Sequence, residues 1–184
     1  MNLSLATLRL RGVWLLVVPF FWFARPSIGL LLLGGSVTSV GLLIRAWAAS
    51  WIHKDQVLAT SGPYAHTRNP LYLGTFLLGV GVTLAGGHPT FIVLFLLFFA
   101  LIYGKTMAAE AAHLQGVFGE PYRRFAREVP LFFPRLRPYA DESDSPTAAS
   151  AVERRRYRTN REYEALIGAT AAFALLVAKL IWAG

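Results

Sequence analysis

Apolar residues in this chain occur in long stretches separated by short polar segments. The longest stretch, Leu71–Gly104, contains no Asp, Glu, Lys or Arg. It is too long for one helix across a hydrocarbon layer of ~30 Å. The sequence GGHP at Gly86–Pro89 interrupts it, and this combination of Gly and Pro favours a tight turn. The pattern therefore predicts two antiparallel helices within this stretch.

Three further apolar stretches complete the pattern: Gly12–Ala24, Ser27–Trp51 and Ala165–Trp182. The first is short and fits one arm of a hairpin that does not fully span. A cleaved signal peptide is the alternative, which we disfavour because no small-residue cleavage site follows Phe23. The last is interrupted only by Lys179, whose side chain can reach the nearer interface. We therefore predict an all-α, polytopic integral membrane protein with about five transmembrane helices.

Composition and charge support a membrane location and predict an orientation. Hydrophobic residues are 55% of the chain and charged residues 15%, with a mean hydropathy of +0.47, whereas soluble domains carry about 25% charged residues. Five spans starting from a cytoplasmic N-terminus place Arg25 and Lys179 near the outer side and the other 16 of the 18 Lys and Arg residues inside. This asymmetry predicts that the motif loops face the cytosol, and we expect the membrane to be the cytoplasmic (inner) membrane of a prokaryote. Anionic lipid headgroups account for the net charge of +8 without nucleic acid.

Some kinds of chemistry are excluded by residue type. The chain has no Cys, so it has no disulfide, thiolate nucleophile or cysteine metal site. It also lacks an HExxH metal motif and a GxGxxG sequence following a strand. We therefore predict no bound metal and no soluble nucleotide-binding domain.

The chain is predicted to be one membrane domain, 1–184, with four parts. These are the N-terminal helices at 12–51, a core at 52–137 that carries the motifs, a polar linker at 138–150, and a basic lead-in with the final helix at 151–184. The linker prediction depends on the sequence PYADESDSPTAAS, which is polar, acidic and rich in small residues.

The segment Thr60–Gly74, TSGPYAHTRNPLYLG, is the first candidate motif. A Gly-Pro turn leads into a polar segment that ends at Arg68, and a long apolar helix begins at Pro70, a residue that suits the first helical position. The N-terminus of a helix carries unpaired N–H groups that favour an anion. The segment thus predicts an anion-binding arginine, although an ordinary interfacial anchor at Arg68 remains an alternative.

A second candidate segment follows the fourth apolar helix, which is predicted to continue beyond the membrane. Glu110 lies on this continuation, and Gly119 is predicted to end it. A short basic helix is then predicted to start at Pro121, with an apolar stripe formed by Tyr122, Phe125 and Val129. Such a helix is expected to lie on the membrane surface, and the prolines of VPLFFPRLRP favour an extended segment after it.

These two segments together resemble the isoprenylcysteine carboxyl methyltransferase and phospholipid methyltransferase superfamily of integral membrane enzymes. The resemblance covers roughly Trp51–Pro134. The first half of the family signature is matched by Gly62, Tyr64, Arg68, Pro70, Tyr72 and Gly74. The second half is matched by Glu110, Leu114, Phe118, Gly119, Tyr122, Val129, Pro130 and Pro134.

Two positions depart from the family pattern. Asn69 stands where the family has a histidine, and Ala111 where it has a second glutamate. An asparagine forms hydrogen bonds but cannot take up a proton near neutral pH. A mechanism that needs an imidazole base at this position is therefore not expected, and Glu110 is left alone at its site.

The resemblance implies methyl transfer from S-adenosylmethionine to a lipophilic acceptor, in a cofactor pocket on the cytoplasmic side of the membrane. Because the sulfonium is already an activated donor, the protein mainly has to align the acceptor and exclude water. The catalytic candidates are Arg68, which would bind a cofactor or acceptor carboxylate, and Glu110, which would hold the cofactor amine, a ribose hydroxyl or the acceptor. The candidates for cofactor binding are Gly62, Tyr64, Asn69, Pro70, Tyr72 and Tyr122, where the tyrosine faces would favour the sulfonium.

Two other functions fit the same sequence features. One is an NADPH-dependent membrane reductase of the sterol-reductase type, whose families share a related C-terminal signature. The other is a non-catalytic membrane scaffold, in which the changes at Asn69 and Ala111 mark lost activity. The expected partners are the lipid bilayer and a lipophilic acceptor. A prenylcysteine carboxylate, a phospholipid amine and a small hydrophobic thiol all fit as acceptors, and the sequence favours no oligomeric state.

Overall fold

A computed structural model of the chain describes residues 17–51, 57–140 and 163–183, and all regular secondary structure in these ranges is helical. The all-α prediction is confirmed. The helices are α1 (residues 17–23 in its described part), α2 (Ile28–Trp51), α3 (Pro70–Ala85), α4 (Pro89–Phe118), α5 (Glu120–Glu128) and α6 (Tyr163–Ala183). A 3₁₀ turn at Gly62–Ala65 precedes α3.

Three of the described helices are long and apolar enough to cross a bilayer: Ile28–Trp51, Pro89–Phe118 and Tyr163–Trp182. They leave large apolar side chains exposed, including Leu43, Leu101 and Ile167, as expected where lipid is the solvent. A shorter apolar helix, α3, has 16 residues and is therefore only about 24 Å long. The chain is an integral membrane protein, and the count of five spans remains a prediction.

The predicted break in the longest apolar stretch is confirmed. Helix α3 ends at Ala85 and α4 begins at Pro89. Gly87 has φ +70° in the turn, and a Cβ on it would collide with the backbone of Arg25, so only glycine fits this position without strain. The Arg25 backbone N–H donates to the Gly86 carbonyl at 2.7 Å, which connects the turn to the segment before α2.

The chain divides into two compact units, and unit 1 contains the described residues 17–40, 76–105 and 167–183. Its helices approach closely at small residues. A Cβ on Gly34 of α2 would lie 2.7 Å from the Ala85 Cβ of α3, and contacts between small residues are a common way to pack helices in lipid. The core of this unit is formed by Phe20, Ala24, Ala85, Phe91 and Leu176.

Unit 2 contains the described residues 41–51, 57–75, 106–140 and 163–166. Its core is formed by Ala65, Tyr122, Phe125, Val129 and Tyr139. The core includes the whole apolar stripe of α5, and the prediction that this stripe faces the membrane surface was wrong. The stripe instead packs on the loop that carries the first motif, which contributes Ala65.

The predicted linker begins later than its sequence suggests. Tyr139, placed at its start by composition, is buried and packs edge-on against Phe125 with ring centroids 5.3 Å apart. Tyr139 therefore belongs to the packed core of unit 2, while its neighbours Pro138 and Ala140 are exposed. The rest of the predicted linker, 141–150, and the basic lead-in, 151–162, lie outside the described residues.

Candidate functional site

The first motif starts with a turn that requires glycine. Gly62 opens the 3₁₀ turn with φ +60°, and a Cβ on it would lie 2.6 Å from the Trp51 ring. The next residues, Pro63, Tyr64 and Ala65, are all buried. The Gly-Pro pair of the sequence thus fixes where the chain turns back toward Arg68.

Backbone hydrogen bonds connect this loop to the extended segment that follows α5, residues 129–140. The Arg68 N–H donates to the Pro130 carbonyl at 3.0 Å, and the Arg135 N–H donates to the His66 carbonyl at 2.9 Å. The Tyr139 N–H donates to Ala65 at 2.9 Å. The two halves of the motif are therefore joined by main-chain contacts across more than 60 residues of sequence.

Side chains of the loop add further hydrogen bonds to the extended segment. Thr67 Oγ1 donates to the Phe132 carbonyl at 2.9 Å, and His66 Nδ1 lies 2.8 Å from the Arg135 carbonyl oxygen. Because a carbonyl only accepts, His66 Nδ1 carries the proton in this contact. His66 thereby positions the extended segment.

Asn69 has a clear structural role. Its Nδ2 donates to the Leu131 carbonyl at 2.9 Å, and the residue is only 9% exposed. Asn69 is the residue immediately before α3, and its side-chain amide thus holds the extended segment against the start of that helix. Asn69 also borders the cavity described next, so its predicted contact with a cofactor remains a prediction.

A cavity of about 320 Å³ lies within unit 2, at the lower end of the size range of ligand pockets. Its lining includes six of the eight predicted site residues: Tyr64, Arg68, Asn69, Tyr72, Glu110 and Tyr122. The other two, Gly62 and Pro70, do not line it. Gly62 shapes the turn, and Pro70 is fully buried as the first residue of α3.

Arg68 keeps part of its hydrogen-bonding capacity unused. Its Nη1 donates to the Tyr122 hydroxyl at 3.2 Å, and its guanidinium carbon lies 6.0 Å from the centre of that ring. Its Nε is buried without a hydrogen-bond partner in the described part of the chain. A buried unpaired donor is costly, so an acceptor on a bound ligand would complete the interactions of Arg68.

The other charged groups of the cavity are Glu110 and Arg45. Glu110 is exposed on α4, and within the described ranges no hydrogen bond or ion pair occupies its carboxylate. Arg45 donates through Nη1 to the Leu71 carbonyl at 3.4 Å and to Thr75 Oγ1. Sequence reasoning did not assign Arg45 to the site, although an arginine near the end of an apolar helix was a usable signal.

This set of charges suits a ligand that carries both an anionic and a cationic group. Two arginines can bind a carboxylate or phosphate, and a carboxylate with no protein partner can bind an ammonium. Three tyrosines line the cavity, and aromatic rings can attract a cation. Among the described residues, no group of three His, Cys, Asp or Glu side chains is placed to hold a metal ion.

Comparisons with known proteins identify the family. A family model described as phospholipid methyltransferase matches residues 27–121, just over half of the chain. The cobalt-zinc-cadmium resistance protein CzcN of Cupriavidus metallidurans is 34% identical over 161 residues, which cover 78% of this chain and 72% of the relative. No solved structure matches the chain.

Two further relatives are matched over about half of their own length. The nickel-cobalt-cadmium resistance protein NccN of Alcaligenes xylosoxydans is 34% identical over 66% of this chain and 56% of the relative. The protein-S-isoprenylcysteine O-methyltransferase of Schizosaccharomyces pombe is 28% identical over 64% of this chain and 52% of the relative. The resemblance inferred from the motifs is confirmed, and the chain belongs to the phospholipid methyltransferase family of membrane proteins.

Proposed function

We propose that this protein is an S-adenosylmethionine-dependent methyltransferase that acts on a lipophilic acceptor. The observation that carries the proposal is the cavity of unit 2, where the buried Arg68 Nε–H and the Glu110 carboxylate occur together and neither has a partner among the described residues. The membership of the family supports methyl transfer as the reaction.

The residues of the cavity fit S-adenosylmethionine. Its amino-acid end carries a carboxylate and an ammonium, which Arg68 and Glu110 match in charge. Tyr64, Tyr72 and Tyr122 present aromatic rings suited to a sulfonium. When bound, this cofactor supplies an activated methyl group. The chain's own residues hold the reactants in line and exclude water.

The acceptor is proposed to reach the site as a lipophilic nucleophile. Asn69 cannot take up a proton near neutral pH, so an acceptor that is already anionic, such as a carboxylate, suits this site. One relative is named as an isoprenylcysteine O-methyltransferase, and an acceptor of that general class is consistent with the proposal. The names of the two metal-resistance relatives specify no reaction.

The proposed location is the inner membrane of a prokaryote, with the motif segments facing the cytosol. The asymmetric distribution of Lys and Arg supports this orientation. A cytosolic site would give a water-soluble cofactor access from one side and a membrane-dissolved acceptor access from the other.

Calorimetry on purified protein in detergent tests the proposal. We expect S-adenosylmethionine or its demethylated product to bind with micromolar affinity, about −8 kcal/mol. Arg124→Ala, which removes an exposed arginine of α5 that does not line the cavity, should bind with the affinity of the wild type. Absence of heat with both ligands together with tight NADPH binding would favour a reductase. Absence of binding to all three would favour a scaffold.

A further inference from the structure

A second cavity, of about 440 Å³, lies within unit 1. It is lined by the end of α1, by the connection from α1 to α2, and by two residues of α6: Trp22, Phe23, Ala24, Arg25, Pro26, Lys179 and Leu180. None of these residues falls in the range 27–121 that the family model matches. The cavity is therefore a feature that the methyltransferase signature does not explain.

Lys179 is held at this cavity by the end of α1. Its Nζ donates to the Phe21 carbonyl at 2.7 Å and to the Trp22 carbonyl at 2.5 Å. These carbonyls belong to the last turn of the helix, where a cation is favoured. An ammonium has three donors, and within the described residues no third acceptor is present, so one N–H remains available to a ligand.

Arg25 supplies a second cation to the same cavity. Its backbone is fixed by the hydrogen bond to Gly86. Its side chain is exposed and makes no hydrogen bond or ion pair with any residue that the structure describes. The guanidinium is thus placed on a fixed backbone, with all of its donors available.

Among the residues that the structure describes, no acidic side chain pairs with either of these two charges. The described residues of unit 1 include no Asp or Glu at all. Apolar aromatic groups occur nearby: Trp22, which lines the cavity, is 78% exposed, and Trp182, one turn beyond Lys179 on α6, is 92% exposed. Exposed tryptophans beside cations are typical of the level where lipid headgroups lie.

We propose that this cavity binds the phosphate group of an anionic phospholipid. Lys179 and Arg25 would donate to the phosphate oxygens, and the exposed rings of Trp22 and Phe23 would contact the glycerol and upper acyl region. A lipid is favoured over free phosphate because the cavity is bordered by exposed apolar side chains that a free ion would leave uncovered. No chemical step is involved, and the site is distinct from the cavity that contains Arg68.

Lipid binding to delipidated protein in a neutral maltoside detergent tests the proposal. Native mass spectrometry would measure bound dioleoyl phosphatidylglycerol for the wild type and for Arg25→Gln. Because charge-assisted hydrogen bonds are lost, we expect affinity to fall at least about tenfold in Arg25→Gln. Arg25→Lys should retain most of it. Arg124→Gln is the matched control, since it removes an exposed arginine that does not line this cavity.

Two other probes separate the sources of binding. Dioleoylglycerol, which lacks the phosphate, should bind the wild type at least about tenfold more weakly than phosphatidylglycerol does, and inorganic phosphate should not compete at millimolar concentration. Equal binding of phosphatidylglycerol by wild type and Arg25→Gln would overturn the proposal. So would equal binding of the two lipids, or competition by inorganic phosphate. Because the exposed Arg25 side chain makes no hydrogen bond or ion pair with any described residue, Arg25→Gln should have the same Tm as the wild type, and the binding result can be interpreted directly.

Discussion

Replacing Arg68 with methionine should affect stability and ligand affinity in different ways. In the ligand-free protein the change removes a buried N–H that has no partner, a defect that costs about 1–3 kcal/mol. It also removes the hydrogen bond to the Tyr122 hydroxyl, which is worth about 1.5–3 kcal/mol because the donor is charged. The two contributions nearly cancel, and the change in Tm should stay within about 3 °C, which is ~1 kcal/mol for a domain of this size.

Ligand affinity should fall much further. If Arg68 pairs with the cofactor carboxylate, Arg68→Met removes a charge-assisted contact of about 1.5–3 kcal/mol, or roughly 10- to 150-fold in Kd. At a ligand concentration of ten times the wild-type Kd, the wild type gains about 1.4 kcal/mol of stability and a variant weakened about 30-fold gains about 0.2 kcal/mol. The wild-type Tm should then rise by about 3–6 °C, and the variant Tm by less than about 1 °C.

Thermal melts with and without S-adenosylmethionine, together with calorimetry, measure both quantities. Tyr122→Phe is the matched control, because it removes the hydroxyl that Arg68 contacts and keeps the guanidinium. It should weaken ligand binding less than about fivefold, because the guanidinium that would pair with the ligand carboxylate is retained. If Arg68→Met melts about 10 °C lower and keeps the full ligand-induced rise, Arg68 is structural and the site assignment is wrong.

Three further predictions concern other residues. Glu110→Gln should weaken S-adenosylmethionine binding by about 10- to 100-fold in calorimetry. It should leave the Tm unchanged, because the Glu110 carboxylate has no partner among the described residues. The control Arg124→Ala should change neither quantity, and wild-type affinity in Glu110→Gln would contradict the role of Glu110. Asn69→Ala should lower the free energy of unfolding by about 1–3 kcal/mol in denaturant titrations, because the Leu131 carbonyl loses the hydrogen bond from Asn69 Nδ2. An unchanged denaturation midpoint would show that this hydrogen bond does not stabilise the protein. Single cysteines at the exposed positions Thr90 and Arg137 test the orientation of the protein in the membrane. In intact cells we expect an impermeant thiol reagent to label Thr90→Cys and not Arg137→Cys. The reverse labelling pattern would show that the orientation is opposite to the predicted one.

Much of the helix layout could be predicted from local sequence. Gly87 and Gly119 take positive φ at the ends of α3 and α4, and Pro70 starts α3. Each of these effects is local, because one residue's backbone preference decides where a helix begins or ends. The boundaries were accordingly close, although α5 starts at Glu120 rather than at Pro121.

The contacts of the extended segment could not be predicted in the same way. Residues 129–140 have no helical or strand periodicity, and their partners lie in the loop that carries Arg68. The stripe of α5 shows the same difficulty, because Phe125 would be apolar whether it faced lipid or packed on Tyr139. Sequence pattern reveals that a face is buried, but not which surface covers it. Arg45 was missed at the cavity for a related reason, since its place depends on α3 residues such as Thr75.

The pairing of the motif loop with the extended segment also affects how the protein is made. His66 and Arg135 are 69 residues apart, and translation adds about 5–20 residues per second. The loop therefore emerges from the ribosome roughly 3–14 s before its partner emerges. During that interval the backbone N–H of Arg68 and the side-chain amide of Asn69 lack the carbonyls to which they donate in the finished fold. The first half of the motif should thus acquire its final shape only after the second half has been translated, and a nascent chain stalled before residue 130 should expose it to protease.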